Sequence, residues 1–132
     1  MNSNMSPIDW ATRPLKKYAD FTGRAPRAEY WWFYLLVIIG YVVATIIDSL
    51  VGLGRMVGPY GAIAMLFGLA MLVPSIAVGI RRLHDLGKSG WWLLIALIPF
   101  IGAIVLIVFF VQAGTPGDNE YGPDPYGPHA AG

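Results

Sequence analysis

The sequence predicts an all-α integral membrane protein: a bundle of three transmembrane helices with an N-terminal amphipathic interfacial segment. Three observations carry that reading. Hydrophobic residues fill 56% of the 132 positions against 13% charged, a balance too apolar for a water-soluble domain of this size. Three apolar runs, about residues 30–51, 60–80 and 91–111, are each long enough to cross a hydrocarbon core of about 30 Å at about 1.5 Å per residue. Between the second and third lies the one strongly charged island of the interior, Gly79 to Trp92, about which the rest must be oriented. The chain divides accordingly into a cytoplasmic interfacial segment 1–25, a membrane domain 26–112 and an irregular tail 113–132.

The first segment sets Arg13, Lys16, Lys17, Arg24 and Arg27 among Ile8, Trp10, Leu15, Tyr18 and Phe21. Ser6, Pro7 and Asp9 form a helix-start signal, while Pro14 and Gly23 interrupt a single continuous helix. The segment is expected to lie on an anionic leaflet with its rings at headgroup depth; the alternative is a leader that touches the membrane intermittently. No cleavable leader is expected, because the first apolar run is too long for a signal core and no small-residue cleavage site follows it.

Pro26 suits the first turn of span one, and Glu29 sits favourably near the positive end of that helix dipole. Gly52 to Pro59, with three glycines and Arg55, reads as a turn between antiparallel neighbours. Span two contains Pro74, which should kink it and leave a carbonyl to find a partner helix or water. The small pairs Gly40/Ala44, Ala64/Gly68 and Ser75/Gly79 read as packing surfaces. In the island, Arg81, Arg82 and Asp85 share one helix face before Gly87 ends the helix, and Ser89 caps the next. The run Trp91 to Val111 then forms the third span, although Pro99 and Gly102 within it also permit a re-entrant path that turns back without crossing.

Trp31 and Trp32, like Trp91 and Trp92, follow a basic cluster at the start of an odd-numbered span and suit the interfacial aromatic belt. Five basic residues precede span one and three lie between spans two and three, so eight of the nine share one side. The positive-inside rule makes that side cytoplasmic, with the amino terminus inside and the carboxyl terminus periplasmic or extracellular.

Three stretches carry a resemblance: Phe21-Thr22-Gly23-Arg24-Ala25-Pro26-Arg27-Ala28-Glu29-Tyr30-Trp31-Trp32-Phe33, Arg81-Arg82-Leu83-His84-Asp85-Leu86-Gly87-Lys88-Ser89-Gly90-Trp91-Trp92, and Gly114-Thr115-Pro116-Gly117-Asp118-Asn119-Glu120-Tyr121-Gly122-Pro123-Asp124-Pro125. In order and spacing they resemble the bacterial inner-membrane family catalogued as domain of unknown function 805, over roughly residues 15–125. Pro26 departs from the small polar residue more usual there. The resemblance implies a small multi-spanning plasma-membrane protein with no assigned biochemical activity.

Candidate chemistry is sparse. The absence of cysteine excludes disulfides, thiolate metal sites and thiol nucleophiles. His84 and Asp85 are adjacent, about 100° apart on a helix, without a second His, Cys or Glu at ligand spacing, so neither a metal site nor a cofactor is expected; His129 falls in the tail. Asp48 is the one acid inside a span, about 25 Å along its axis from Trp31. Hydration or pairing with Arg55 is the favoured account of it, and an ion or proton pathway the other.

Arg24, Arg27, Arg81, Arg82 and Lys88, with only Glu29 and Asp85 as counter-charges, are expected to leave a positive patch for anionic lipid or an acidic partner; the plainer reading is that they only enforce orientation. Ion pairs at such an interface still reach water and are expected to contribute about 1 kcal/mol each. No nucleic acid is expected. The sequence therefore points to a non-enzymatic lipid-contacting or interaction module, its partners membrane lipids with anionic headgroups, a second copy or another membrane protein. The competing class is a subunit of an oligomeric channel or transporter using Asp48.

Overall fold

A computed structural model describes residues 5–56 and 60–125 of the chain. The order of elements is α1 (Pro7–Lys16), α2 (Arg27–Val51), α3 (Ala62–Asp85), a 3-10 helix (Gly90–Leu97) and α4 (Ile101–Val111). No strand is present among the described residues; an isolated bridge joins Asn119 and Gly122.

Ser6 and Asp9 start α1 with reciprocal side-chain-to-backbone bonds, the capping box that satisfies orphan N–H groups. The helix continues through Pro14 rather than breaking there. Trp10, Ala11 and Pro14 form its buried face against the bundle. Trp10 is therefore a core residue of the bundle. Further on, the Tyr18 hydroxyl donates to the Ala70 carbonyl of α3. That carbonyl is the acceptor Pro74 cannot serve, lacking an N–H four residues on, so the partner expected for the freed group is supplied by the segment after α1.

Helices α2 and α3, 25 and 24 residues long, are the two long and apolar enough to cross a bilayer, with only 11% and 28% of their apolar windows buried in the protein. A row of exposed Ile, Leu and Val on both helices exceeds any patch a water-soluble monomer tolerates, and hydrocarbon is its natural solvent. The two helices meet through small residues: Ala44 and Ala64 are buried, and a Cβ on Gly40 would strike the Phe67 ring. Gly68, by contrast, faces open space and takes no part in that packing.

The run predicted as a third span does not form one helix. Ser89 caps a 3-10 helix of 8 residues, its hydroxyl accepting from the Trp91 N–H at 3.2 Å. Its length is about 16 Å at about 2.0 Å per residue. After Pro99 the chain reverses at Phe100, whose φ of 63° and ψ of −55°, with Ile101 N donating to Pro99 O at 2.6 Å, make a γ-turn of the rare positive-φ kind. The returning α4, with 11 residues, is about 16 Å long as well. Each arm thus matches about half of a 30 Å hydrocarbon core. A Cβ on Gly102 would collide with the Ile95 carbonyl, so glycine there lets the two arms close.

The tail packs on the bundle: Thr115 N donates to Asp85 O at 2.7 Å and Asn119 Nδ2 to His84 O at 2.9 Å, so residues 114–124 fold onto the island. His129 lies outside the described residues.

Candidate functional site

The most constrained place in the molecule is the end of the bundle where α2 begins, α3 finishes and α4 returns. Arg24, Glu29, Arg81, Arg82 and Asp85 are all buried there, none more than 6% exposed. Charged groups at such depth must be paired and hydrogen-bonded; each of these has an ion-pair partner, while Arg81 Nη2 and Glu29 Oε1 are left without a hydrogen bond among the described residues. Asp85 accepts from Arg24 Nε on one oxygen and from Arg82 Nη1 on the other, both at 2.9 Å. Glu29 pairs with Arg81 Nη1 and with Arg13 Nε of α1 at 3.1 Å.

Four guanidinium groups against two carboxylates leave an excess of positive charge, and backbone carbonyls absorb it. Arg24 donates to Thr115 O at 2.5 Å and to Gly117 O at 2.6 Å. Arg81 Nε donates to Asp20 O at 3.0 Å. Arg82 donates to Phe110 O, with the shorter contact at 3.1 Å, and to Gln112 O. Arg27 Nη1 takes Val111 O at 2.9 Å and Trp31 Nε1 takes Phe110 O at 2.9 Å. The last carbonyls of α4 have no partners within their own helix and form its negative end. Two arginines and a tryptophan bind them and fix the returning arm.

The sequence-predicted residues therefore part company. Arg24, Arg81 and Arg82 are not an exposed patch but the interior of an ion-pair network; Arg27 is exposed, and Lys88 is half-buried with its Nζ 4.8 Å from the centroid of the Phe109 ring and 5.8 Å from that of Trp92. Glu29 and Asp85 are the counter-charges, as expected, though buried ones. Trp31 is engaged by α4, while Trp32, Trp91 and Trp92 are exposed. Asp48 is shielded from solvent and, among the described residues, makes no ion pair with Arg55: buried at 1% exposure, it accepts from Ile63 N at 2.8 Å and Ala64 N at 2.9 Å. It caps α3 from α2, because the N-cap residue Gly61 has no side chain of its own and a Cβ there would meet the Asp48 carboxylate.

His84 makes no dyad with Asp85, whose oxygens are occupied by arginines. Its Nδ1 lies 2.9 Å from Gly23 O, an acceptor that assigns the ring proton to that nitrogen, and its ring stacks on Tyr121 at 4.1 Å. Among the described residues no three His, Cys, Asp or Glu side chains are grouped to hold a metal ion. Outside the helices, Asp20 accepts from the Thr22 hydroxyl at 2.7 Å and the Thr22 N–H at 2.9 Å; these bonds hold its pKa below the ordinary carboxylate value. Sequence pattern places Arg13 and Tyr18 in the interfacial segment and Asn119 and Tyr121 in the tail without these partners, and it assigns Asp20 no role. The glycine- and proline-rich composition of 113–132 predicts an irregular tail and does not signal these contacts.

Two apolar helices of spanning length with mostly exposed surfaces, and a buried charge cluster at one end, fit a small helical integral membrane protein. The chain belongs to the family described as protein of unknown function (DUF805), whose model matches residues 18–123. It is 48% identical over 118 residues to the inner membrane protein YhaH of Escherichia coli (strain K12), covering 89% of this chain and 97% of that protein. It is 45% identical over 118 residues to the inner membrane protein YhaI of the same organism, covering 89% and 96%. No solved structure matches the chain.

Proposed function

We propose that this is a bacterial inner-membrane protein acting as a non-enzymatic lipid-contacting module, in which two spanning helices carry a hairpin embedded in the cytoplasmic leaflet. The inner-membrane names of its relatives support the location. Eight of the nine basic residues precede or open α2, or lie between the last turns of α3 and the 3-10 helix, which supports a cytoplasmic cluster, and the contacts of Thr115 and Asn119 with it support a tail on the same side. The observation that carries the reading is the hairpin. Both of its ends are held at the charge cluster, while Trp91, Leu97 and Phe100, each at least 78% exposed, project where only lipid would be met. A hairpin of that depth adds protein cross-section to one leaflet and not to the other.

Arg27 and Lys88 supply the contact with anionic headgroups, because the other three arginines of the predicted patch are engaged internally. A channel through Asp48 fits less well, since its carboxylate serves as a helix cap. The test is a photoreactive amino acid placed at Phe100 or Trp91 in native membranes. Adducts should be to lipid. A discrete crosslink to another protein, or to a second copy of this chain, would contradict the reading.

A further inference from the structure

Beneath the hairpin, where it crosses α2 and α3, lies a cleft of about 310 Å³. Its walls include Trp31 and Tyr34 of α2, Ser75 and Gly79 of α3, and Ala103 and Ile107 of α4. A smaller cavity of about 130 Å³ adjoins it through Tyr30, Tyr34 and Ser75. Small side chains on two of the walls make this space, and the half-exposed ring of Tyr34 marks where it opens sideways to the bilayer. An apolar, laterally open cleft at that depth is bathed in acyl chains.

One turn of α2 before Trp31 stands a charge, Arg27, which lines the neighbouring pocket with Ala113 and Gly114 rather than the cleft itself. Arg27, Trp31 and Tyr34 stand at i, i+4 and i+7 on α2 and so share one helix face, running from the charged end of the bundle into the cleft. Arg27 is exposed and donates from Nη1 to Val111 O. A guanidinium carries five N–H donors in a fork suited to two phosphate oxygens.

We infer that the cleft under the hairpin holds one phospholipid, an acyl chain lying between α2 and α4 against Tyr34 and Ala103 and its phosphate bound by Arg27. The inference rests on the lipid-contact reading above and adds a defined site to it. Trp31 ties the two levels together: its ring lines the cleft while its N–H holds the Phe110 carbonyl.

The experiment is photolabelling of the wild-type protein, reconstituted in phosphatidylethanolamine vesicles, with a phosphatidylglycerol carrying a diazirine in one acyl chain, followed by peptide mapping. Label is expected at residues 30–34 and 103–107 as well as on the outer hairpin. Label on Leu97, Phe100 and Ile101 with none on the cleft peptides would overturn the site while leaving general lipid contact standing; no label on either would overturn both. Native mass spectrometry in mild detergent supplies the second arm. Wild-type protein should retain one phosphatidylglycerol and bind it about tenfold more tightly than diacylglycerol, equivalent to about 1.4 kcal/mol. Arg27→Gln should erase that preference and Ala103→Trp should lose both lipids. An unchanged preference in Arg27→Gln, or unchanged retention in a folded Ala103→Trp, would overturn the proposal.

Discussion

Arg24 Nε donates to Asp85 Oδ1 at 2.9 Å, joining residues 61 apart in sequence across the interval that holds both spanning helices. Because Arg82 occupies the other Asp85 oxygen, one carboxylate neutralises two buried guanidinium groups. Asp85→Ala leaves both uncompensated, and removing one partner of a buried pair costs about 3–5 kcal/mol instead of the roughly 1 kcal/mol of an exposed pair. Denaturant unfolding in detergent should show the larger loss. A loss near 1 kcal/mol would mean that water reaches the cluster in the folded protein.

Gly114 tests the tail. A Cβ at that position would fall on the Asp85 carboxylate, so Gly114→Ala should lift residues 114–124 from the island without altering α2 or α3. Amide hydrogen exchange at Thr115, whose N–H is bonded to Asp85 O, should accelerate by more than about tenfold. Unchanged protection at Thr115 would show that the tail docks without that contact.

Asp48 is expected to behave as a cap. Asp48→Ala should destabilise the start of α3 by about 1–2 kcal/mol, the upper part of the range for a lost N-cap, with Asp48→Asn intermediate because its amide oxygen still accepts. Liposomes containing the wild-type protein should show no ion flux attributable to this residue. A flux abolished by Asp48→Asn would return the carboxylate to a transport role.

Asp20 gives a pH dependence of known sign. Its folded pKa lies below the ordinary value of 3.8, chiefly through the Thr22 hydroxyl and then the Thr22 N–H. In the window between the two values the unfolded chain binds more protons than the folded one, so stability rises with pH there. The contribution is fully present above 3.8 and is lost as pH falls through the folded value. Thr22→Val should flatten this acid limb of the stability curve; an identical limb in the variant would remove Asp20 from the account.

Much of this architecture is legible in the sequence, for reasons that also show where legibility stops. Pro74 announces a freed carbonyl, and Gly87 and Ser89 announce a helix end and a helix start, since each signal is local. Pro99 and Gly102 likewise mark a break, but hydropathy cannot tell an arm of about 16 Å followed by its return from one span of about 30 Å. The choice depends on the close approach of Gly102 to the Ile95 carbonyl, a contact made by folding. The charge cluster shows the same division. Counting five bases against two acids suggests an exposed patch because the carbonyls of Phe110, Gln112, Thr115 and Gly117 have no signature in composition. Asp48 was conspicuous, but its role follows from Gly61 lying opposite it.

The return of the hairpin is the central claim, and the side on which the chain ends tests it most directly. Green fluorescent protein, which matures in the cytoplasm, and alkaline phosphatase, which is active only outside it, can each be fused after Gly132 and, in parallel, before Met1. Fluorescence from both ends with no phosphatase activity from either is the result expected of two spans and a re-entrant hairpin. Active phosphatase at Gly132 with fluorescence at Met1 would mean that residues 91–111 cross the membrane, and would contradict the account.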